Sequence, residues 1–378
     1  MILMARILFV SNSSNPGGME KHVKDLVVGM RKKRHEVFVW CPSGVMADVY
    51  ENEGAKVIRL AIQFDVDPFY IVTLFYFLIR EHIDIVHAHE LKAVVNSHLA
   101  AFLARVKVRI SHSHTPISTW KKAFLGSKLT CFFYSTFVNM FSTRELALTE
   151  QIRKIKIKEG IKAEKLIVIP NGIDTKKYDI PKTVREGYKN EIKSRYGVPR
   201  DAFVLGNLSR LSIEKGYDTL IEAFSLLKDP SSYLFIGGGG VLEEVISGSA
   251  KKLGIYEQTI ITGLFEEEDK VKFLSCLDLL VFPSQTEGFG YLPLEGLCFG
   301  LPVIVSDIPA LKEVCREYVT YFKKGNALDL TGKIREVKDK LGSFTFEEVV
   351  SFINKTYSLE VFWDSYNRLY ENSLSNKI

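Results

Sequence analysis

Two glutamates, Glu287 and Glu295, stand with seven residues between them in the segment SQTEGFGYLPLEGLCFGLPVIVSD. A carboxylate is a natural acceptor for vicinal hydroxyls, so this pair suits a polyol. The apolar run LDLLVFPS before it predicts a strand, Pro293 suits a first helical turn, Gly300 suits a helix end, and PVIVS restarts a strand. Glu287 is therefore expected at a helix mouth, where the amides of Gly288, Phe289 and Gly290 can meet an anion, and Glu295 deeper along the same helix. Two cations, Arg210 and Lys215, bracket a loop with four residues between them, and a glycine run, Gly237 to Gly240 with Gly238 inside it, follows the next apolar segment. Arginine grips a diphosphate in a forked manner and lysine adds a point charge, so this group of residues suits a diphosphate.

A second glycine loop lies near the start, in SNSSNPGGMEKHV, where Gly17 and Gly18 precede a helical pattern. Paired glycines let the backbone approach a ligand and leave helix N-terminal amides behind them, although a plain tight turn uses the same residues. The spacing is not a GxGxxG dinucleotide fingerprint. His87, His89, His112 and His114 form two HxH pairs at strand ends, and alternate residues on a strand share one face, which makes a metal conceivable. Core or cleft histidines are commoner and no carboxylate completes the set, so no metal site is expected. Asp65-Val66-Asp67 has a spacing that can hold a metal-bound nucleotide, but it precedes an apolar helix and reads as a helix cap.

The elements that must position these residues alternate along the chain. ARILFV, EVFVWC, AKVIRL, DIVHAH, KVRISHSH, ELALT and KLIVIP predict strands, with a helix from about Gly17 to Arg34 after the first. A fresh series follows: AFVLGNLS, SYLFIGG, QTIIT, LDLLVFPS and LPVIVS. Such alternation predicts βαβ units around parallel sheets. The expected organisation is two doubly wound α/β domains, residues 1–180 and 181–357, joined by a polar, lysine-rich linker near residues 175–198. An amphipathic helix over about 358–378 closes the chain, with Val361, Phe362, Tyr366, Leu369 and Tyr370 at helical spacing. Doubly wound domains bind ligands beyond the carboxyl ends of their strands, and two such crevices facing each other make a cleft, so the chemistry belongs in strand-to-helix loops.

Composition narrows the class. At 378 residues the chain is long enough for two cores, and 46% hydrophobic with 25% charged residues excludes general disorder. Five scattered cysteines without CxxC spacing read as reduced thiols of a cytoplasmic protein. The first residues lack the basic region and cleavage site of a secretory signal, and the most apolar window, Phe69 to Ile79, is too short to span a bilayer. Residues 1–185 carry 28 Lys and Arg against 17 Asp and Glu, a balance of +11 that faces an anionic partner or is a solvated surface. No aromatic-and-basic RNA motif accompanies it, so no nucleic acid is expected. The segment Trp120 to Phe141, with Lys121, Lys122 and Lys128 before CFFYSTFVNMF, suits peripheral contact with the inner face of a membrane.

GGMEKHV, PNGID, RLSIEKGYDTLIEAF, EGFGYLPLE and GLPVIVSD, in that order within residues 6–320, closely resemble the retaining glycosyltransferases of glycosyltransferase family 4. The resemblance implies a GT-B fold, two Rossmann-like domains with the nucleoside diphosphate sugar held mainly by the second and the terminal helix returning to the first. By position it assigns Arg210 and Lys215 to the donor diphosphate, Glu287 to the donor sugar, Glu295 to ribose hydroxyls, Gly17 and Gly18 to a loop near the phosphates, and the amides of Phe289 and Gly290 to phosphate and sugar. Ile261 to Gly263 matches the edge that frames the base. A family histidine near the donor sugar falls on His112 or His114, with His114 favoured at the strand end. The implied reaction moves a hexose, from a UDP-sugar or alternatively GDP-mannose, to a hydroxyl of a glycan or lipid-linked acceptor in polysaccharide or glycolipid synthesis. It uses neither cofactor nor metal, because two cations serve the diphosphate. Alternatives are a nucleotide-sugar epimerase or hydrolase and a non-catalytic binding subunit.

Overall fold

The structure is a computed structural model in which residues 4–119 and 124–375 are described. The chain divides into two compact units, Met1–Gly172 with Tyr357–Ile378, and Ile173–Thr356. The first unit therefore ends at Gly172, short of residue 180, and regains the chain at Tyr357.

In the first unit, β1 (Arg6–Val10), β2 (Glu36–Cys41), β3 (Lys56–Arg59), β4 (Ile85–His89), β5 (Val108–His112), β6 (Arg144–Ala147) and β7 (Leu166–Val168) form one parallel sheet in the order β3-β2-β1-β4-β5-β6-β7. β1 and β4 are almost wholly buried, as strands covered on both faces must be. One face packs against the helices Gly18–Lys32, Val45–Asn52 and Leu359–Leu374, the other against Pro68–Arg80, Leu91–Leu103 and Phe124–Phe141. Because β1 connects to β2 on one side while β4 lies on the other, the strand order reverses between β1 and β4. That is where a crevice opens beyond the strand ends.

The terminal helix Leu359–Leu374 begins at Ser358, whose hydroxyl accepts the Val361 amide. It lies on Gly18–Lys32: Trp363 donates its indole N–H to the Asp25 carbonyl at 2.7 Å, and an ideal Cβ on Gly29 would stand 1.9 Å from the Trp363 ring. Asp67 caps the helix Pro68–Arg80, accepting from the Tyr70 amide at 3.0 Å and the Gln63 amide at 3.0 Å. Trp120, Lys121 and Lys122 lie outside the described residues.

The second unit holds β8 (Phe203–Leu208), β9 (Ser232–Gly237), β10 (Thr259–Ile261), β11 (Leu279–Phe282), β12 (Val303–Ser306) and β13 (Thr320–Phe322), parallel in the order β10-β9-β8-β11-β12-β13. Its order reverses between β8 and β11. The edge strand β13 has no clear signature in the sequence, being three residues long and flanked by charge.

Within residues 175–198, expected as a linker, Lys182–Arg195 forms a packed helix. Lys182–Arg195 buries Ile192, stacks the Arg185 guanidinium on the Phe299 ring at 3.9 Å, and ends Lys189 on Asp278 at 2.6 Å. Lys193 donates to the carbonyls of Arg200 and Ala202. Long cationic side chains supply the packing stems here, so the segment reads polar while serving as one side of a core.

Candidate active site

In the second unit the loops after β8, β9 and β11 meet at the reversal of strand order, and glycines let them touch. Gly216 ends the loop after β8 in the left-handed region (φ 69°), where an ideal Cβ would stand 2.1 Å from the Pro283 carbonyl oxygen. The Gln285 amide donates to the Glu214 carbonyl at 2.7 Å, tying the same two loops. Gly238 (φ 130°) lies so close to the loop after β8 that a Cβ would come 2.3 Å from the Ser209 carbonyl oxygen, and the Leu211 amide donates to the Gly239 carbonyl at 3.0 Å. The Gly238 amide also reaches the Gly263 carbonyl at 3.1 Å, just beyond Ile261 at the end of β10.

This backbone contact brings Lys215 and Glu287 together. The Lys215 ammonium donates to Glu287 Oε1 at 2.5 Å, the Ser284 hydroxyl donates to the same oxygen at 2.9 Å, and both charged side chains are more than four-fifths enclosed. Arg210 reaches outward, with three-quarters of its side chain exposed and a 3.3 Å contact to Glu214. Gly290 (φ 91°) caps the helix Tyr291–Phe299, and Gly288 and Phe289 are buried beside it.

Glu295 has partners of its own. Its carboxylate is buried on the helix, 3.2 Å from the Lys270 ammonium and hydrogen-bonded by Tyr178. Burial alone would lower the Lys270 pKa, but Glu295 and Glu267 outweigh it and hold the ammonium above its ordinary value. Lys270 and Ser284 were not singled out from sequence. A serine separated from a strand end by one residue was the available sign for Ser284, whereas Lys270 sits in a charged run with nothing to distinguish it.

In the first unit, Gly17 caps the helix that Gly18 begins, and the Glu20 carboxylate folds over Gly17 within 2.6 Å of where a Cβ would be. Across the strand-order reversal, Glu90 follows β4 with φ 68° and ψ 162°, a conformation otherwise almost confined to glycine. Its carboxylate accepts the His114 amide at 3.0 Å, and burial pushes it up to about 7 against the pull of that amide and of Lys156. His112 is fully buried and His114 half-buried, with His114 Nε2 3.1 Å from His89 Nδ1. Strain, burial and a raised carboxyl at one strand end mark Glu90 as a residue that sequence patterning alone does not reveal.

Comparison with known proteins adds the function. The model of Glycosyltransferase Family 4 matches residues 16–177, and that of Glycosyl transferases group 1 matches residues 188–347. The fold matches that of Anabaena HepE crystallised with UDP and glucose, with a TM-score of 0.85 at 20% identity over 97% of this chain and 100% of that one. The chain is a GT-B glycosyltransferase. Relatives of this glycosyltransferase include an uncharacterized glycosyltransferase of Methanocaldococcus jannaschii, 25% identical over 327 residues and 80% of each chain. Another is the UDP-Gal:alpha-D-GlcNAc-diphosphoundecaprenol alpha-1,3-galactosyltransferase of Escherichia coli, 29% identical over 63% of this chain and 61% of that protein.

Proposed function

We propose that this glycosyltransferase moves a hexose from a UDP-sugar to a hydroxyl of a lipid-linked glycan, with retention of anomeric configuration, in cell-surface polysaccharide or glycolipid synthesis. The observation that carries the donor side is the Lys215–Glu287 pair at the strand-order reversal of the second unit, joined to the loops of Gly238 and Gly290. On this reading the donor diphosphate takes the Lys215 ammonium, Arg210 turns in from solvent to share the charge, and Glu287 turns to the hexose hydroxyls. Two cations then balance the departing UDP without a divalent ion at the diphosphate. Glu295 accepts the ribose hydroxyls once Tyr178 or Lys270 yields, and Ile261 to Gly263 frames the base. Retention follows from attack on the face that the diphosphate leaves, its own oxygen taking the acceptor proton.

Support for UDP and for a polyprenyl diphosphate acceptor comes from the ligands and substrates named for the two similar proteins above. A membrane-borne acceptor also agrees with the surface of the first unit. Phe69, Val72, Tyr76 and Ile79 stand exposed on one side of Pro68–Arg80, preceded by exposed Phe64 and Val66, and Phe132, Phe133 and Met140 are exposed on Phe124–Phe141. An apolar area of this kind on a water-soluble unit suits the headgroup region of a bilayer. Among the described residues no helix is long and apolar enough to cross one.

The deciding assay offers UDP-glucose, UDP-galactose and GDP-mannose with and without GlcNAc-diphosphoundecaprenol. Acceptor-dependent release of UDP is expected, unchanged by added Mg2+ or Mn2+, with an α-configured product by NMR. Equal release without acceptor would make the protein a hydrolase, and an inverted product would remove the retaining reading.

A further inference from the structure

The histidines of the first unit converge more closely than their sequence pattern requires. The parallel register sets His89 at the end of β4 beside His112 at the end of β5, His114 follows two residues on, and His22 enters from the helix Gly18–Lys32 that covers this face. One ring nitrogen from each of the four lies within 4.8 Å of every other. A tetrahedral zinc ion with bonds of about 2.0–2.1 Å holds its ligand atoms roughly 3.3 Å apart, so modest ring movement closes this set on an ion.

We propose that His22, His89, His112 and His114 form a zinc site that clamps the ends of β4 and β5 to the first helix. Three observations support it independently of the transfer reaction. Among the described residues neither ring nitrogen of the fully buried His112 has a hydrogen-bond partner, a cost that ligation removes. His22 Nδ1 meets Asn171 Oδ1 at 2.7 Å, so Nδ1 carries the proton, the arrangement by which an outer partner orients a ligating histidine, and the Nε2 lone pair faces only the Tyr366 hydroxyl at 3.4 Å among the described residues, a long contact that ligation would replace. His89 Nδ1 and His114 Nε2 share a hydrogen bond at 3.1 Å, so these two nitrogens already stand near the spacing of two ligands on one ion, which would replace the shared proton. Half-buried His114 leaves the entry side. Ligation would engage the ring that the family resemblance assigns to the donor sugar, so the two roles are alternatives for His114.

The test uses the full chain, stripped with a chelator, dialysed, and titrated with Co2+ alone while visible absorption is recorded. One equivalent should give the intense bands of tetrahedral cobalt, which Zn2+ then bleaches, and Zn2+ should raise the thermal midpoint. His114→Ala, at the half-buried edge, and His112→Ala should each weaken Co2+ binding at least tenfold and remove the tetrahedral bands. Absence of saturable tetrahedral binding in the wild type overturns the proposal and leaves His114 free for the sugar. Unchanged bands in His114→Ala also overturn it, whether or not His112→Ala folds, by assigning the metal to other residues such as the cysteines.

Discussion

Lys215 has two competing anions in the proposed cycle, the carboxylate 2.5 Å away and the diphosphate that must displace it. The two partners should therefore differ in their effect on UDP affinity, although turnover needs both. Lys215→Ala and Glu287→Ala should each lower turnover about a hundredfold, the roughly 2–4 kcal/mol attached to a charged contact at a transition state, with circular dichroism unchanged. His98 gives a residue-scale prediction free of ligands. Burial, first, and then the charge of Arg109 lower its pKa to about 3, although the Ile110 carbonyl pulls the other way. A folded value below the unfolded 6.5 means that the stability from keeping it neutral is complete above about 6.5 and drains away as pH falls toward 3. His98→Gln loses the contacts to Ser142 and Ile110 and should be less stable at pH 7. Its loss of stability per unit of acidification between pH 6 and 4 should be shallower by up to about 1.4 kcal/mol, one proton's worth, in urea melts. Parallel slopes in the two proteins would remove His98 from the acid response.

Among the elements, the helix Leu359–Leu374 depends on a single notch in Gly18–Lys32. A methyl on Gly29 would strike Trp363, so Gly29→Ala should destabilise the chain by about 1–3 kcal/mol in urea melts despite the better helix propensity of alanine. A neutral or stabilising result would mean that Trp363 repacks freely. Strand runs, the amphipathic terminal helix and the Asp67 cap were legible because each is a local pattern: buried β-branched residues, apolar positions at helical spacing, or a short polar side chain before an apolar helix. Lys182–Arg195 was illegible for the opposite reason, since its packing resides in the stems of Arg185, Lys189 and Lys193. Lys215 and Glu287 could each be picked from their loops, but their pairing needed the left-handed turn at Gly216 against Pro283. His22 was missed because one histidine on an amphipathic helix looks like any other until the register of β4 and β5 brings partners to it.

For the whole molecule, chain order and compact units differ. Residues 173–356 form a continuous unit, whereas the first unit needs the return of residues 357–378, whose Phe362, Trp363, Tyr366 and Tyr370 lie in its core. The fragment 173–356 should fold alone and bind UDP, and the fragment 1–172 should regain cooperative unfolding only when a peptide of residues 357–378 is supplied. Flotation with phosphatidylglycerol vesicles should recover the full chain at low salt, and Phe69→Ser with Tyr76→Ser should leave it in solution. No vesicle-bound fraction for the wild type would remove the membrane surface from the account. The central claim, that the strand-order reversal of the second unit holds the donor diphosphate, is tested most directly by calorimetric titration of UDP into the full chain and two variants. The account predicts that Lys215→Ala weakens UDP at least tenfold, about 1.4 kcal/mol, while Glu287→Gln, which releases Lys215 from its competitor, does not weaken it. Equal affinity in Lys215→Ala and wild type would contradict it.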